Sequence, residues 1–511
     1  MWRAKQRVIK QRAIEGWGSG IPPEQLKFTT KEARELLASL QGTVVLSTDA
    51  NYQQARQLSD PAYQDFPQII VYCLVFEDVR KSLAFAHKHD MWVVCRSGGH
   101  STAGYSVNSE MVIDLSGLRY ATVDARQRLA TVGAGTNFGY LNATLDVYRL
   151  HVPSGGCEDV NVGGYSQGGG YGFTSRKYGM NCDNIVEALV MLADGGIVTA
   201  SETVNRDLYW AIRGGTGNNF GVLLQVVYQL HDLWKVWGFG ITWPMENAAE
   251  ALATMHGQYI HQAPPELGFM TMTTWVNGQG GVYMRGMYCG TKNEGMDLIQ
   301  PLLKTPGANI DLDRTGTYFE MNRYLLETPD LPAVPDLSAE TKDCAYVSKP
   351  LGVEEWGRIV KALGRTPNQG SMLLMEPYGG EIGRIPKDAC AFVHRDADFD
   401  LALDTFWLNQ EEREQTTRFL DGFFAEIGEF TNGHKYQNYP RRGNANYRWN
   451  YWGDSFPTLL AVKQKYDPEN FFHYPQSVSP VPDGAGPGVR RPEGEALFAV
   501  DTPIAYEPYG R

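Results

Sequence analysis

Two reactive side chains stand in glycine-rich surroundings. His100 closes the stretch Arg96-Ser97-Gly98-Gly99-His100-Ser101, and Cys157 follows Pro153-Ser154-Gly155-Gly156. Adjacent small residues let successive backbone N–H groups converge on an anion such as a pyrophosphate. Taken singly, His100 reads as a turn residue and Cys157 as a small buried hydrophobe. Behind Cys157, however, runs Val162-Gly163-Gly164-Tyr165-Ser166-Gln167-Gly168-Gly169-Gly170-Tyr171-Gly172. So many glycines cost backbone entropy and make sense where the chain must lie flat against a large planar ligand and its phosphates. Two further segments offer acid–base chemistry. Tyr436-Gln437-Asn438 reads as a strand that puts Tyr436 and Asn438 on one face. Phe399–Asp404 alternates strictly, so that Asp400 and Ala402 share a face.

The elements that position these groups are legible as periodicity. Ile69–Tyr72 is a β-branched strand, Glu77–Asp90 places Val79, Leu83 and Ala86 at helical spacing, and Trp92–Val94 is the next strand, running straight into the Arg96 turn. Met111–Leu115 and Leu129–Val132 are strands, Phe138–Tyr148 is a helix, and Ile185–Leu192 with Gly196–Ala200 forms a hairpin turning at Asp194-Gly195-Gly196. Strands and helices mix without strict βαβ alternation, which indicates an α+β class. From Phe239 the texture changes. The strand patterns Gly268–Trp275 and Gly281–Cys289 alternate with the amphipathic stretches Glu294–Leu303 and Gly352–Leu363, as in a second domain reaching to about Gly433. The expected division is 1–238, 239–433 and 434–478, followed by a Pro- and Gly-rich extended tail over 479–511.

Composition narrows the function. A length of 511 residues suggests roughly two to four domains. The formal charge of −12 argues against a nucleic-acid or anionic-membrane surface, and no apolar run approaches the ~18 residues of a membrane span. Met1–Gly20 lacks the apolar core of a secretory signal and is expected to be a surface helix of a cytoplasmic protein, although a secreted chain whose signal has been removed would read the same. The seven cysteines are scattered and never in CxxC spacing, so neither a disulfide scaffold nor a metal site is expected. The nearest approach to a dinucleotide fingerprint, Gly133-Ala134-Gly135-Thr136-Asn137-Phe138, puts Phe138 where the third glycine must allow close helix packing. A nicotinamide site is thereby disfavoured.

Together, these motifs resemble the berberine bridge enzyme-like FAD-linked oxidases of the vanillyl-alcohol-oxidase (PCMH-type) superfamily. The resemblance rests on Arg96–Ser101, Cys157 with the Val162–Gly172 run, Arg176, Gly179 and Asp183, then Trp210–Gly215 and Asn218–Val222. It continues through Glu376–Gly380, His394-Arg395, Tyr436–Tyr439, Lys463–Phe471 and Gln476-Ser477. It implies a two-part PCMH-type FAD-binding domain with an inserted α+β substrate domain, an antiparallel sheet flanked by helices.

The same resemblance implies FAD held by Arg96, Ser97, Gly98, Gly99, Ser101, Val162, Gly163, Gly164, Gly169, Gly172, Val222 and Asn438, bonded covalently through His100 and also through Cys157. A doubly attached flavin has a higher reduction potential, which suits hydride removal from a poorly reducing alcohol. Glu158, Asp159 and Asn161 depart from the family pattern, and two acidic neighbours disfavour a Cys157 thiolate. Tyr436 is implied as the base that deprotonates a substrate hydroxyl, with Asp400 as its partner. A tyrosine needs such help, its ordinary pKa lying near ~10. Val160, third after the cysteine, stands at the position that gates oxygen, and valine there favours an oxidase. The expected reaction partners are O2 and a small molecule (a sugar, an oligosaccharide or a secondary-metabolite alcohol), the product of O2 being hydrogen peroxide. Trp243, Trp275, Trp407, Trp449 and Trp452 would suit stacking on sugar rings or could equally be core. Two alternatives remain open at this point: an oxidative C–H/C–N cyclase or dehydrogenase on the same scaffold, and a flavin-binding protein with little turnover.

Overall fold

A computed structural model describes residues 26–480, apart from 261, 277–278, 327–338 and 369–370. The expected helix at Met1–Gly20 and the tail after residue 480 lie outside the described residues. The chain opens with a four-stranded sheet: β1 Thr43–Leu46, β2 Ile69–Tyr72, β3 Val93–Arg96 and β4 Met111–Asp114, in the order β1-β2-β4-β3. The strands β2, β4 and β3 are parallel, and the helix Phe76–Lys88 makes the β2–β3 crossover. That helix buries Val79, Leu83 and Ala86 on the sheet, with Glu77 and Asp78 in its first turn and His87 and Lys88 in its last, matching the helix dipole.

A second sheet of five strands follows, made of β5 Ala121–Asp124, β6 Leu129–Gly133, β8 Ile185–Met191, β9 Ile197–Ser201 and β10 Val222–Gln229, in the order β5-β6-β10-β8-β9. The short strands β7 Leu150–His151 and β11 His231–Asp232 pair beside it. The third sheet has seven antiparallel strands: β12 Lys235–Pro244, β13 Leu267–Val276, β14 Gln279–Tyr288, β15 Asn309–Thr317, β16 Ala339–Val347, β17 Ser371–Pro377 and β18 Phe399–Trp407, in the order β15-β12-β14-β13-β17-β18-β16. The helices Ala248–Tyr259, Val353–Leu363 and Gln410–Glu426 share one apolar core with this sheet. The texture change expected at Phe239 falls inside β12, which begins at Lys235.

The expected strands and the Phe138–Tyr148 helix are present with shifts of a residue or two. One is not. Tyr436–Asn438 is no strand but part of a turn, closed by Tyr439 N–H donating to the Tyr436 carbonyl at 2.9 Å. The bend lets Gln437 bury its amide, which donates to the Gly214 carbonyl and meets His394. The third sheet is fused to the five-stranded sheet and its helices through a common core: Cys344, Tyr346, Tyr378, Cys390 and Phe392 pack in the same cluster as Ala130, Phe138, Tyr228 and Tyr436.

Candidate active site

A cavity of about 580 Å³ lies between the glycine loops and the seven-stranded sheet. Its near wall is the turn after β3. Arg96 itself points away from the cavity. Its guanidinium donates to Asp114, its register partner on β4, at 2.6 Å and so braces the strand end. Ser97, Gly98, Gly99, His100 and Ser101 line the cavity. Gly99 has φ +74°, where a side chain is strained, and a Cβ on Gly98 would stand 3.0 Å from the Asn161 side chain. Asn161, a departure from the family pattern, donates to the carbonyls of both Ser97 and Gly135 at 2.8 Å, clamping two loops together.

Cys157 opens onto the same cavity as His100. It is exposed to the cavity yet lies deep in the protein. Burial first, and Asp159 second, push its thiol up to about 12, against the pull of Lys342. Asp159 also stands 3.4 Å from the His100 imidazole. Sequence reasoning counted Asp159 only against the thiolate; its contact with His100 had no signal in the spacing.

The glycine run divides in two. Gly163 and Gly164 line the cavity; a Cβ on Gly163 would collide with Ser97 Oγ at 2.7 Å, whereas Gly164 faces open space. Val162, Gly169 and Gly172 do not line it. Val162 is a buried apolar residue. At Gly169, with φ +120°, a Cβ would meet the Phe392 ring, and at Gly172 it would overlap the Ser154 carbonyl, so these two serve loop packing. Val222, heading β10, and Val160 both line the cavity.

Tyr436 and Asn438 meet although they form no strand. The phenol oxygen accepts from the Gly170 N–H at 2.8 Å and from Asn438 Nδ2 at 3.1 Å. Burial raises the pKa of Tyr436 and nearby Glu376 adds to the rise, while the hydrogen bonds from Asn438 and Gly170 lower it. Both donors therefore favour the phenolate.

Asp400 is not brought to Tyr436. It is buried in β18, does not line the cavity, and neither of its carboxyl oxygens has a hydrogen-bond partner among the described residues. Burial first, and the neighbouring Glu376 second, raise it well above the carboxylate range, so the site disfavours its charged form.

Four carboxylates line the cavity, Asp60, Glu340, Glu376 and Asp404, and of these Glu376 on β17 is the register partner of Asp400. Glu376 Oε1 accepts from Tyr439 OH at 3.0 Å and its Oε2 has no hydrogen-bond partner among the described residues; burial pushes it to about 7. Beside it Lys342 stands 3.1 Å from Asp404 and 3.5 Å from Glu340, with its ammonium over the Tyr439 ring. Burial pushes Asp404 to about 7 as well. The alternation that singled out Asp400 also put Asp404 on that face. It offered no reason to prefer the residue nearer the open end. The far wall is apolar, with Met270, Met272, Met372, Leu374 and Phe406. None of the five tryptophans lines the cavity, and Trp243 and Trp452 are buried in cores.

These residues fit FAD. An imidazole and a thiol converge on one cavity beside glycines whose Cβ positions are filled by the opposing loop, so the turn after β3 and the Gly163 backbone can approach a flat ligand closely. Residues 67–201 match the FAD binding domain family, and residues 435–479 match the family described as berberine and berberine like. An uncharacterized FAD-linked oxidoreductase, YgaK, of Bacillus subtilis (strain 168) is 29% identical over 449 residues, which is 86% of this chain and 98% of that protein. Berberine bridge enzyme-like 17 of Arabidopsis thaliana is 28% identical over 79% of this chain and 83% of its own length. The solved xylooligosaccharide oxidase from Myceliophthora thermophila C1, in complex with xylobiose, has the same fold: TM-score 0.78, 24% identity, 88% of this chain and 99% of that one. Two family matches in chain order, relatives along most of the length and a shared fold make the chain similar to the berberine bridge enzyme-like FAD-linked oxidoreductases.

Proposed function

We propose that the protein is an oxidase that takes hydride from a hydroxyl-bearing carbon of a sugar, oligosaccharide or secondary-metabolite alcohol, with FAD attached covalently through His100 and Cys157. The observation that carries this reading is Tyr436, whose oxygen receives two N–H donors at the edge of the cavity that His100 and Cys157 share. FAD supplies the hydride acceptor and the route by which electrons reach O2 to give hydrogen peroxide. Tyr436 receives the substrate hydroxyl proton at its phenol oxygen, and Gly170 N–H and Asn438 hold the charge there. Glu376 Oε2 and Asp404 offer hydrogen bonds to the other hydroxyls of a polyol, and the methionine wall excludes water from the reacting carbon. Val160, small and on the cavity, leaves room for O2.

The test has two arms. Acid-denatured protein should keep its yellow colour with the chain. Under anaerobic conditions, a panel of sugars, alcohols and amines should bleach the flavin with at least one hydroxylic compound, and peroxide should then appear on admitting air. Flavin that washes out in acid rejects the covalent reading. Bleaching by amines alone rejects the alcohol reading.

A further inference from the structure

Away from the cavity, two cysteines from distant parts of the chain meet. Cys182 lies in the short turn Asn181–Asn184 that follows the glycine run, and Cys390 lies on the connection between β17 and β18. Both are fully buried. Their sulfurs and a carboxyl oxygen of Asp183 all lie within 4.8 Å of one another. The usual reading of a buried cysteine is a small hydrophobe. The charges here speak against it: Arg395 donates to the Cys390 sulfur at 3.1 Å, and its two terminal nitrogens hold Asp183 at 2.7 and 2.6 Å. A metal ion is equally ill suited, because the one carboxylate of the group is already bound by a guanidinium.

We propose that Cys182 and Cys390 form a peroxide-sensitive modification site that closes to a disulfide joining the glycine loop to the substrate-side β17–β18 connection. The sulfur chemistry favours Cys390 as the nucleophile. A hydrogen bond from Cys182 and the Arg395 guanidinium bring its thiol down to about 7, whereas burial and the same hydrogen bond keep Cys182 protonated. The Cys390 thiolate attacks one oxygen of hydrogen peroxide. The O–O bond breaks, the sulfur is oxidised to a sulfenic acid, and the departing hydroxide takes a proton to leave as water. Cys182 then loses its proton and attacks the sulfenic sulfur. The S–O bond breaks as S–S forms, and the second hydroxide and that proton leave as another water.

The pair sits directly behind Tyr436. Cys182 and Asn181 donate their N–H groups to the carbonyls of Gly169 and Gly170, each at 2.8 Å, and the Gly170 N–H in turn holds the Tyr436 oxygen. On the other side Phe392, two residues past Cys390, meets the Tyr436 ring edge-on at 6.2 Å. A bond between the sulfurs therefore fixes both supports of that phenol to each other.

The test uses the flavin-loaded protein, reduced and then freed of reductant. It is treated with a few equivalents of hydrogen peroxide, denatured in alkylating agent, digested without reductant and mapped by mass. A peptide pair joined through Cys182 and Cys390, about 2 Da lighter than the two thiol peptides together and separated by dithiothreitol, is the expected result. Cys182→Ser should stop the reaction at a Cys390 sulfenic acid that dimedone captures. The proposal fails if both cysteines of the wild type remain fully alkylatable. It fails also if Cys390 proceeds to sulfinic acid without a cross-link, or if the purified protein carries stoichiometric zinc. The wild-type map decides on its own should the serine variant not fold. Because the peroxide is added, the outcome is independent of whether turnover makes it.

Discussion

Replacing Tyr436 by Phe removes one oxygen atom and two hydrogen bonds, and the cost can be divided. On the catalytic side, loss of a positioned proton acceptor slows the chemical step by ~10²–10⁴-fold, or about 3–5 kcal/mol of barrier. On the structural side, the two donors fare differently. Asn438 Nδ2 keeps a second acceptor, the Tyr165 carbonyl at 2.9 Å, while the buried Gly170 N–H donates to the phenol and is left with nothing. One orphaned donor costs about 1–3 kcal/mol of folding stability. The measurement is anaerobic stopped-flow reduction of the flavin at saturating substrate, alongside a denaturation curve and the flavin content. In the wild type the reduction rate should climb with pH, since burial and Glu376 raise the phenol and the deprotonated form is the active one; in Tyr436→Phe it should be low and flat. Asn438→Leu, which leaves the phenol one donor, should fall between the two, at ~10–100-fold below wild type. A Phe variant that reduces its flavin at the wild-type rate, or one whose loss of rate only tracks loss of bound flavin, would refute this assignment.

Five further outcomes follow from the same geometry. His100→Ala should leave the flavin held by Cys157 alone, so that less of it stays with the acid-denatured chain than in the wild type, and Cys157→Ala should keep it attached through His100 while altering its absorption spectrum. Asp159→Asn removes the second-largest cause of the raised Cys157 thiol, so alkylation of Cys157 in flavin-free protein at pH 8 should speed up by a few-fold, ~3–10. Glu376 is raised by burial from 4.5 to about 7, so the folded state retains a proton that the unfolded chain releases. That contribution is complete below pH 4.5 and is lost as pH rises through 7. The thermal midpoint should accordingly fall between pH 5 and 8, and less steeply in Glu376→Gln. Val160→Ile should slow reoxidation by O2, by roughly tenfold, without changing the anaerobic rate of flavin reduction.

What could be read beforehand tracks how local the determining physics is. The helix Phe138–Tyr148 and the hairpin of β8 and β9 are specified by periodicity and turn residues within a dozen positions. His100 and Cys157 announced themselves through adjacent glycines, and the structure places both on one cavity. Tyr436–Asn438 misled because its alternation is satisfied by a turn, the deciding contact being Gln437 with Gly214, 223 residues away. Asp400 and Glu376 show the other limit. Both lie on strands of the same face, and only the depth of the sheet decides which reaches the cavity, a property of tertiary packing that no local pattern encodes. Asp159 at His100 and Arg395 at Cys390 likewise depend on loop paths.

The helix Phe456–Tyr466, which carries Lys463, and the strands around it bear on how the molecule is made. Trp92 donates to the His473 carbonyl across 381 positions, Val93 bridges to Phe472, and the buried Lys463 ammonium holds the Asn219 and Phe472 carbonyls together with Asp467. Thr102, just past His100, donates to the Pro440 carbonyl. The first sheet emerges early in synthesis yet waits for nearly the whole chain before its last neighbours arrive, and closing so long a loop carries a substantial entropic cost. Flavin loading should thus wait for the C-terminal segment to dock. A chain truncated before about residue 470 should accumulate without cofactor, however intact its first two hundred residues.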